Sequence, residues 1–303
     1  MTPLALLALT PIGALLVLLV RTRPWVRRGS LRRYARRVGL AVPHELEASV
    51  ERRLAARAMA TELGALTGLG VLAVWAAITH PTLVDDSLWT LAIFGALFTG
   101  GAVGSGLVAA RQAIHHPGPH EPRVARPRQE LLADFVAPRE LQGARVVSLL
   151  PAFILVAAGL IAASSEAVAL GGVLADGTVA LAVLPLPIFA GSEVIARRLL
   201  DQPQPAGSTL ELAWRDALRA QVLRDVYTAP IAVGAYATFG ILMYVGAAAR
   251  HEGLQNLVGV IFGMLVLAAI GLAVAGALSR PHRHFRRRLW PNLDTSAPAR
   301  GER

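Results

Sequence analysis

The chain has 303 residues, of which 54% are hydrophobic and 17% charged, with a mean hydropathy of +0.51. Soluble domains carry about 45–50% apolar and about 25% charged residues, so this composition excludes an ordinary water-soluble domain. Its 30 basic residues are all arginine, it has no cysteine, and its net charge is +10. Without lysine there is no Schiff base to retinal or pyridoxal phosphate. Without cysteine there are no disulfides, thiolate metal sites or cysteine nucleophiles. Arginine without lysine, together with abundant alanine, fits a GC-rich bacterial genome, and the expected location is the bacterial cytoplasmic membrane.

A bilayer span needs about 20 mainly apolar residues. The first such run, Leu4–Val20, is a leading anchor over 1–20. Charge follows it, at Arg21, Arg23, Arg27 and Arg28, which predicts an uncleaved span with its N-terminus outside. Residues 21–57 form an arginine-rich amphipathic segment. Leu31, Tyr34, Ala35 and Val38 recur at helical spacing, with Arg32, Arg33, Arg36 and Arg37 opposite, a pattern suited to anionic lipid headgroups.

A first hairpin over 58–110 holds spans Ala58–Thr79 and Leu88–Ala110. Glu62 sits one turn inside its start, five residues after Arg57; it is read as an interfacial carboxylate beside a snorkelling arginine or, more sharply, as an ion-coupling group. Gly64 and Gly68 on one span, and Ala92, Ala96, Gly100 and Gly104 on the next, are spaced four apart, as helices in close contact require. Bundle packing is the ordinary reading and a homodimer face the sharper one. The loop 111–145 carries His115, His116 and His120 around Pro117-Gly118-Pro119, a turn too pliant to expect a metal there. It also carries a short apolar stretch with Leu131, Leu132, Phe135 and Val136.

The second hairpin, 146–195, holds Val146–Ala163 and Thr178–Ile195. Pro185-Leu186-Pro187 should break or sharply kink the latter and free backbone carbonyls, the kind of feature transporters use for substrate. Glu193 lies four residues before Arg197, at pairing distance on a helix. Residues 196–228 contain a capping box, Ser208-Thr209-Leu210-Glu211, and an apolar face of Leu210, Trp214, Leu218, Val222 and Val226. This Leu210–Val226 helix is the expected surface for a protein partner. The third hairpin, 229–278, holds Ala229–Ala248 and Leu257–Leu278, with Gly259 and Gly263 again four apart. The tail 279–303 is basic, with Arg286, Arg287 and Arg288 expected at headgroups, beside His282 and His284.

Orientation follows from charge. Segments 21–57, 111–145, 197–228 and 279–303 hold 11, 6, 5 and 7 arginines, 29 of the 30. The intervening loops hold Arg250 and the acidic Asp85, Asp86, Glu166, Asp176 and Glu252. Such alternation predicts an all-α protein with seven spans, one leading span plus three hairpins, and a cytoplasmic C-terminus. Units 44–117, 128–203 and 208–280 suggest a parallel repeat, best seen in Gly104-Ser105 against Gly191-Ser192.

Chemistry is sparse. There is no His-Glu-x-x-His, no Walker A loop and no Gly-x-Ser-Gly, and no histidine lies in a later span to serve Ser105 as a base. No cofactor, metal site or nucleic acid is expected. The expected function is a non-catalytic scaffold or accessory subunit working through its cytoplasmic face. The alternative is a transporter or permease subunit for a small or lipidic solute near Pro185/Pro187, and a membrane enzyme ranks third.

Overall fold

In the computed structural model the described residues are 13, 19–20, 23–79, 86–114, 130–164, 177–202, 208–278 and 284–291. Every helix and turn of regular structure among them is α-helical. The helices are α1 (Pro24–Val38), α2 (His44–Thr79), α3 (Asp86–Ile114), α4 (Leu132–Phe135), α5 (Pro138–Ser164), α6 (Thr178–Val183), α7 (Pro185–Asp201), α8 (Thr209–Ala248), α9 (Glu252–Leu278) and α10 (His284–Leu289).

Five helical stretches are long and apolar enough to cross a bilayer: His44–Ile78, Trp89–Gln112, Pro138–Ser164, Thr178–Asp201 and Thr209–Ala248. The expected spans of the first two hairpins, and the first of the third, fall inside them to within one residue at either end. The last expected span falls on α9, where the apolar stretch with described side chains is Glu252–Ala268. The leading span, apart from Gly13, Leu19 and Val20, lies outside the described residues.

Two of the expected segment boundaries, at 57/58 and 228/229, lie within continuous helices. Residues 44–57 are continuous with the first hairpin: α2 runs without interruption for 36 residues from His44. Likewise α8 runs for 40 residues, through Pro230. Ser208 caps it, accepting from the Glu211 amide at 3.2 Å, the first half of the expected box. Pro230 has no N–H, so the Val226 carbonyl four residues earlier loses its helical donor. The Ser192 hydroxyl of α7 lies 3.0 Å from that carbonyl and 2.9 Å from Ile188 O of its own helix. Its one proton serves either, so a neighbouring side chain supplies a donor to the carbonyl that the proline leaves without one.

The break expected at Pro185-Leu186-Pro187 is confined to a single residue. Only Leu184 interrupts the helix, and its φ of −50° and ψ of −39° are helical. Leu184 N–H still reaches Ala180 O at 2.9 Å. Proline at the first turn of α7 needs no N–H donor and is already set to helical φ, so α6 passes to α7 across Leu184 with no unwound segment.

α8 is the axis of the molecule. Along most of its length its side chains are buried on several sides, against α3, α5, α7, α6 and α9. The outer helices are the reverse. Val71, Val74 and Ile78 of α2, Phe94 and Phe98 of α3, Phe153 and Leu160 of α5, and Met264 and Leu267 of α9 are all exposed. A belt of large apolar side chains turned outward on long helices is what a hydrocarbon solvent permits and water does not.

Candidate functional site

The polar chemistry gathers where the arginine-rich segments meet. Leu31, Tyr34, Val38, Val50, Phe135, Val136, Ala144, Ala196, Leu199, Trp214, Leu223, Tyr227 and Phe285 share one buried core. These residues come from all the arginine-rich segments, so the fold brings parts of the sequence far apart in order onto one end of α8.

Trp214 sits at the centre, fully buried, and its indole N–H donates to Ala41 O at 2.6 Å. The Tyr34 hydroxyl donates to Ala217 O at 3.0 Å, and the two rings lie 6.1 Å apart. Burial raises the Tyr34 hydroxyl well above its ordinary pKa. Asp216, fully buried, accepts from the Trp290 indole at 2.7 Å. Arg219 pairs with Glu130, donates to Gln202 O at 2.7 Å, and lies over the Phe135 ring, 5.9 Å from its centre. Buried polar groups in this core therefore have partners, as burial demands.

Beside this core lies a bidentate charged pair. Arg57 of α2 grips Asp225 of α8 through two nitrogens, Nε to Oδ2 and a second bond to Oδ1 at 2.6 Å. The Asp225 side chain is 9% exposed and that of Arg57 is 42% exposed. A bidentate guanidinium–carboxylate contact fixes orientation as well as distance, so it sets how α2 crosses α8. One residue back, Arg224 Nε donates to Glu140 of α5 at 3.3 Å. Next to the pair is a cavity of 20 Å³ lined by Arg53, Arg57, Ser105, Gln112, Gln221 and Asp225. That is room for about one water molecule, not for an organic substrate.

The residues singled out from sequence are distributed as follows. Glu193 accepts from the Tyr227 hydroxyl at 3.1 Å and faces Arg145 at 4.0 Å; the partners come from α8 and α5 and not from Arg197 on its own helix. Glu62 is half-buried on α2. Pro185 is buried and Pro187 is exposed on the outer surface, so the two do not line a common cavity. Gly64, Gly68, Ala96, Gly100 and Gly104 come together in an antiparallel seam. A Cβ on Gly64 would fall on the Gly100 carbonyl, one on Gly68 on that of Ala96, and one on Gly104 on that of Ala60. By contrast, a Cβ on Gly259 or Gly263 would meet nothing within 4 Å, and the same holds for Gly191, which the repeat pairs with Gly104.

Arg32, Arg33, Arg36 and Arg37 are on the exposed side of α1, but the apolar face opposite them is buried in the protein core. The helix therefore cannot insert that face into lipid as expected. In the tail, Arg286 donates to Gly39 O at 2.8 Å, while Arg287 and Arg288 are exposed. His284 Nε2 lies 2.9 Å from Ala133 O. His115, His116, His120 and His282 lie outside the described residues. Leu210–Val226, expected to present a partner surface, is instead the most buried part of this core, because its neighbours cover several of its faces and not one.

Sequence inspection missed Asp225, Arg219 and Asp216. A signal existed: carboxylates and arginines mixed on all sides of an otherwise apolar helix indicate that no face of it is free for water.

The fold and this site define an all-helical protein with five candidate membrane-spanning helices and a polar, arginine-rich core at one end. No family model matches the chain, and no curated protein or solved structure is detectably similar to it.

Proposed function

We propose that this chain is a seven-span protein of the bacterial cytoplasmic membrane, N-terminus outside and C-terminus inside, that works as a non-catalytic scaffold or accessory subunit through its cytoplasmic layer. The observation that carries this reading is the placement of polar groups. Ion pairs and buried hydrogen bonds concentrate in the close-packed layer around Trp214 and Asp225, and the cavity there holds about one water. A transporter needs a path for solute, whereas the Pro185–Pro187 segment is helical and turns Pro187 outward.

Convergence of the arginine-rich segments on one core supports the orientation, since positive segments are retained in the cytoplasm. A partner would meet the exposed outer surface of the layer, including Arg287 and Arg288, because Leu210–Val226 is covered.

The natural chain has no cysteine, so single cysteines can be introduced and labelled with an impermeant maleimide in intact cells. Cysteines at 250 and 176 should label from outside, and cysteines at 287 and 202 only after lysis. Any reversal sinks the seven-span topology. Purification of the tagged full chain in mild detergent should then recover another membrane or cytoplasmic protein in stoichiometric amount; a chain that purifies alone and moves solute in reconstituted vesicles would replace the scaffold by a transporter.

A further inference from the structure

α1 carries a groove with no role in the core. Trp25, Arg28, Gly29 and Arg32 line it, and their i, i+3, i+4, i+7 spacing puts them on one face of the helix. That face is turned away from the buried one of Leu31, Tyr34 and Val38. Gly29 is the reason a groove exists: a Cβ there would meet nothing within 4 Å, so the helix backbone forms a bare floor between side chains one turn before and one turn after. Trp25 is 71% exposed, and no Asp or Glu occurs anywhere in α1. Among the described residues no carboxylate pairs with Arg28 or Arg32.

The groove has two unlike walls. Arginine supplies forked donors that match a phosphate, and tryptophan prefers the boundary between hydrocarbon and water. On the N-terminal side Leu19 and Val20 are helical, exposed and apolar, a few residues before Trp25 and at the end of the expected leading span. We propose that this groove binds the phosphate of one anionic phospholipid of the inner leaflet, with Arg28 and Arg32 on the headgroup, Trp25 at the acyl boundary and Gly29 beneath. The inference rests on the reading of the chain as membrane-spanning. It differs from a general attraction of basic residues to the membrane because Gly29, which carries no charge, is required for it.

The test uses the full chain in neutral maltoside detergent, titrated with phosphatidylglycerol, with retained lipid per chain read by native mass spectrometry. Wild type should hold about one lipid more tightly than the rest. Each of Arg28→Gln and Arg32→Gln should weaken that site about fivefold, from the charge–headgroup attraction near a membrane surface. Gly29→Leu should weaken it at least as much with no change in charge, and it favours folding because leucine is the better helix former. Arg37→Gln, the same charge change on another face, should leave it intact.

Equal weakening by Arg37→Gln, unchanged binding in Gly29→Leu, or displacement of the lipid by inorganic phosphate or an RNA oligonucleotide would each overturn the site. Alkaline carbonate extraction of membranes separates the two readings. A chain released by carbonate overturns the membrane reading and this site together; a retained chain with unaltered lipid binding in the variants overturns this site alone.

Discussion

Around Trp214 the chain buries large side chains and satisfies their polar atoms, whereas between α2 and α3 it buries small residues and brings backbones into contact. The first region is built as a water-soluble core is. A fully buried indole and neighbouring aromatic rings supply apolar burial, and hydrogen bonds to Ala41 O, Ala217 O and Asp216 hold the register. In the second region the surroundings are apolar on both sides, so burial of large side chains gains little, and close approach at Gly64, Gly68, Gly100 and Gly104 takes over. The two regions meet at the Arg57–Asp225 pair, one residue before the expected start of one span and four before that of another. A single chain thus changes its means of cohesion over about one helical turn.

The largest expected effect tests the first region. Trp214→Ala should cost about 3–5 kcal/mol through cavity formation and an orphaned Ala41 carbonyl, read as thermal unfolding in mild detergent. A loss below about 1 kcal/mol would mean that this core is not what holds the arginine-rich end together.

The seam comes next. Gly64→Leu must push α2 off α3 and should cost about 3 kcal/mol as overpacking, while Gly263→Leu, at a site open for 4 Å, should stay within about 0.5 kcal/mol. Equal losses from the two would show that glycine spacing alone, and not backbone contact, matters.

At the junction the two halves of the ion pair should be unequal. Arg57→Ala leaves a carboxylate that is nearly buried, and should cost about 2 kcal/mol after allowance for the solvent that already reaches Arg57. Asp225→Asn leaves a guanidinium that can turn to water, and should cost about 1 kcal/mol. The reverse order in chemical denaturation would place the burial on the wrong partner.

The smallest effect belongs to Tyr34. Tyr34→Phe removes one buried hydrogen bond and should cost about 1 kcal/mol at neutral pH. Because burial raises the Tyr34 hydroxyl above its ordinary value near 10, the folded state retains that proton. Its contribution is complete below about pH 10 and is lost as pH rises further. The melting temperature of the wild type should therefore fall more steeply between pH 9 and 11 than that of Tyr34→Phe. Parallel curves would show that the hydroxyl is not held as described.

Much of the fold was legible because lipid imposes simple rules. Runs of apolar residues and the spacing of Gly64, Gly68, Gly100 and Gly104 report local requirements that each helix meets by itself or with one neighbour. The amphipathic pattern of α1 was legible for the same reason, and Leu31, Tyr34 and Val38 do form its buried face. What that face meets was not legible. A stripe of apolar residues looks the same whether it faces acyl chains or Trp214, since the pattern records only that water is excluded. Leu210–Val226 was misjudged in the opposite sense: one apolar face was visible, but Asp216, Arg219 and Asp225 become intelligible only once their partners Trp290, Glu130 and Arg57 are brought beside them from distant sequence.

By itself the sequence determined that the chain is helical with several helices long and apolar enough to cross a bilayer, which segments are arginine-rich, and where helices can touch. Those properties follow from hydropathy, charge and side-chain size, each carried by residues close together in the chain. Only the tertiary structure decided that the arginine-rich segments form one core, that the break before Pro185 is confined to Leu184, and that Glu193 answers to Tyr227 and Arg145. These depend on which distant groups share a low-dielectric interior, where a buried charge or hydroxyl must find a partner wherever the fold supplies one.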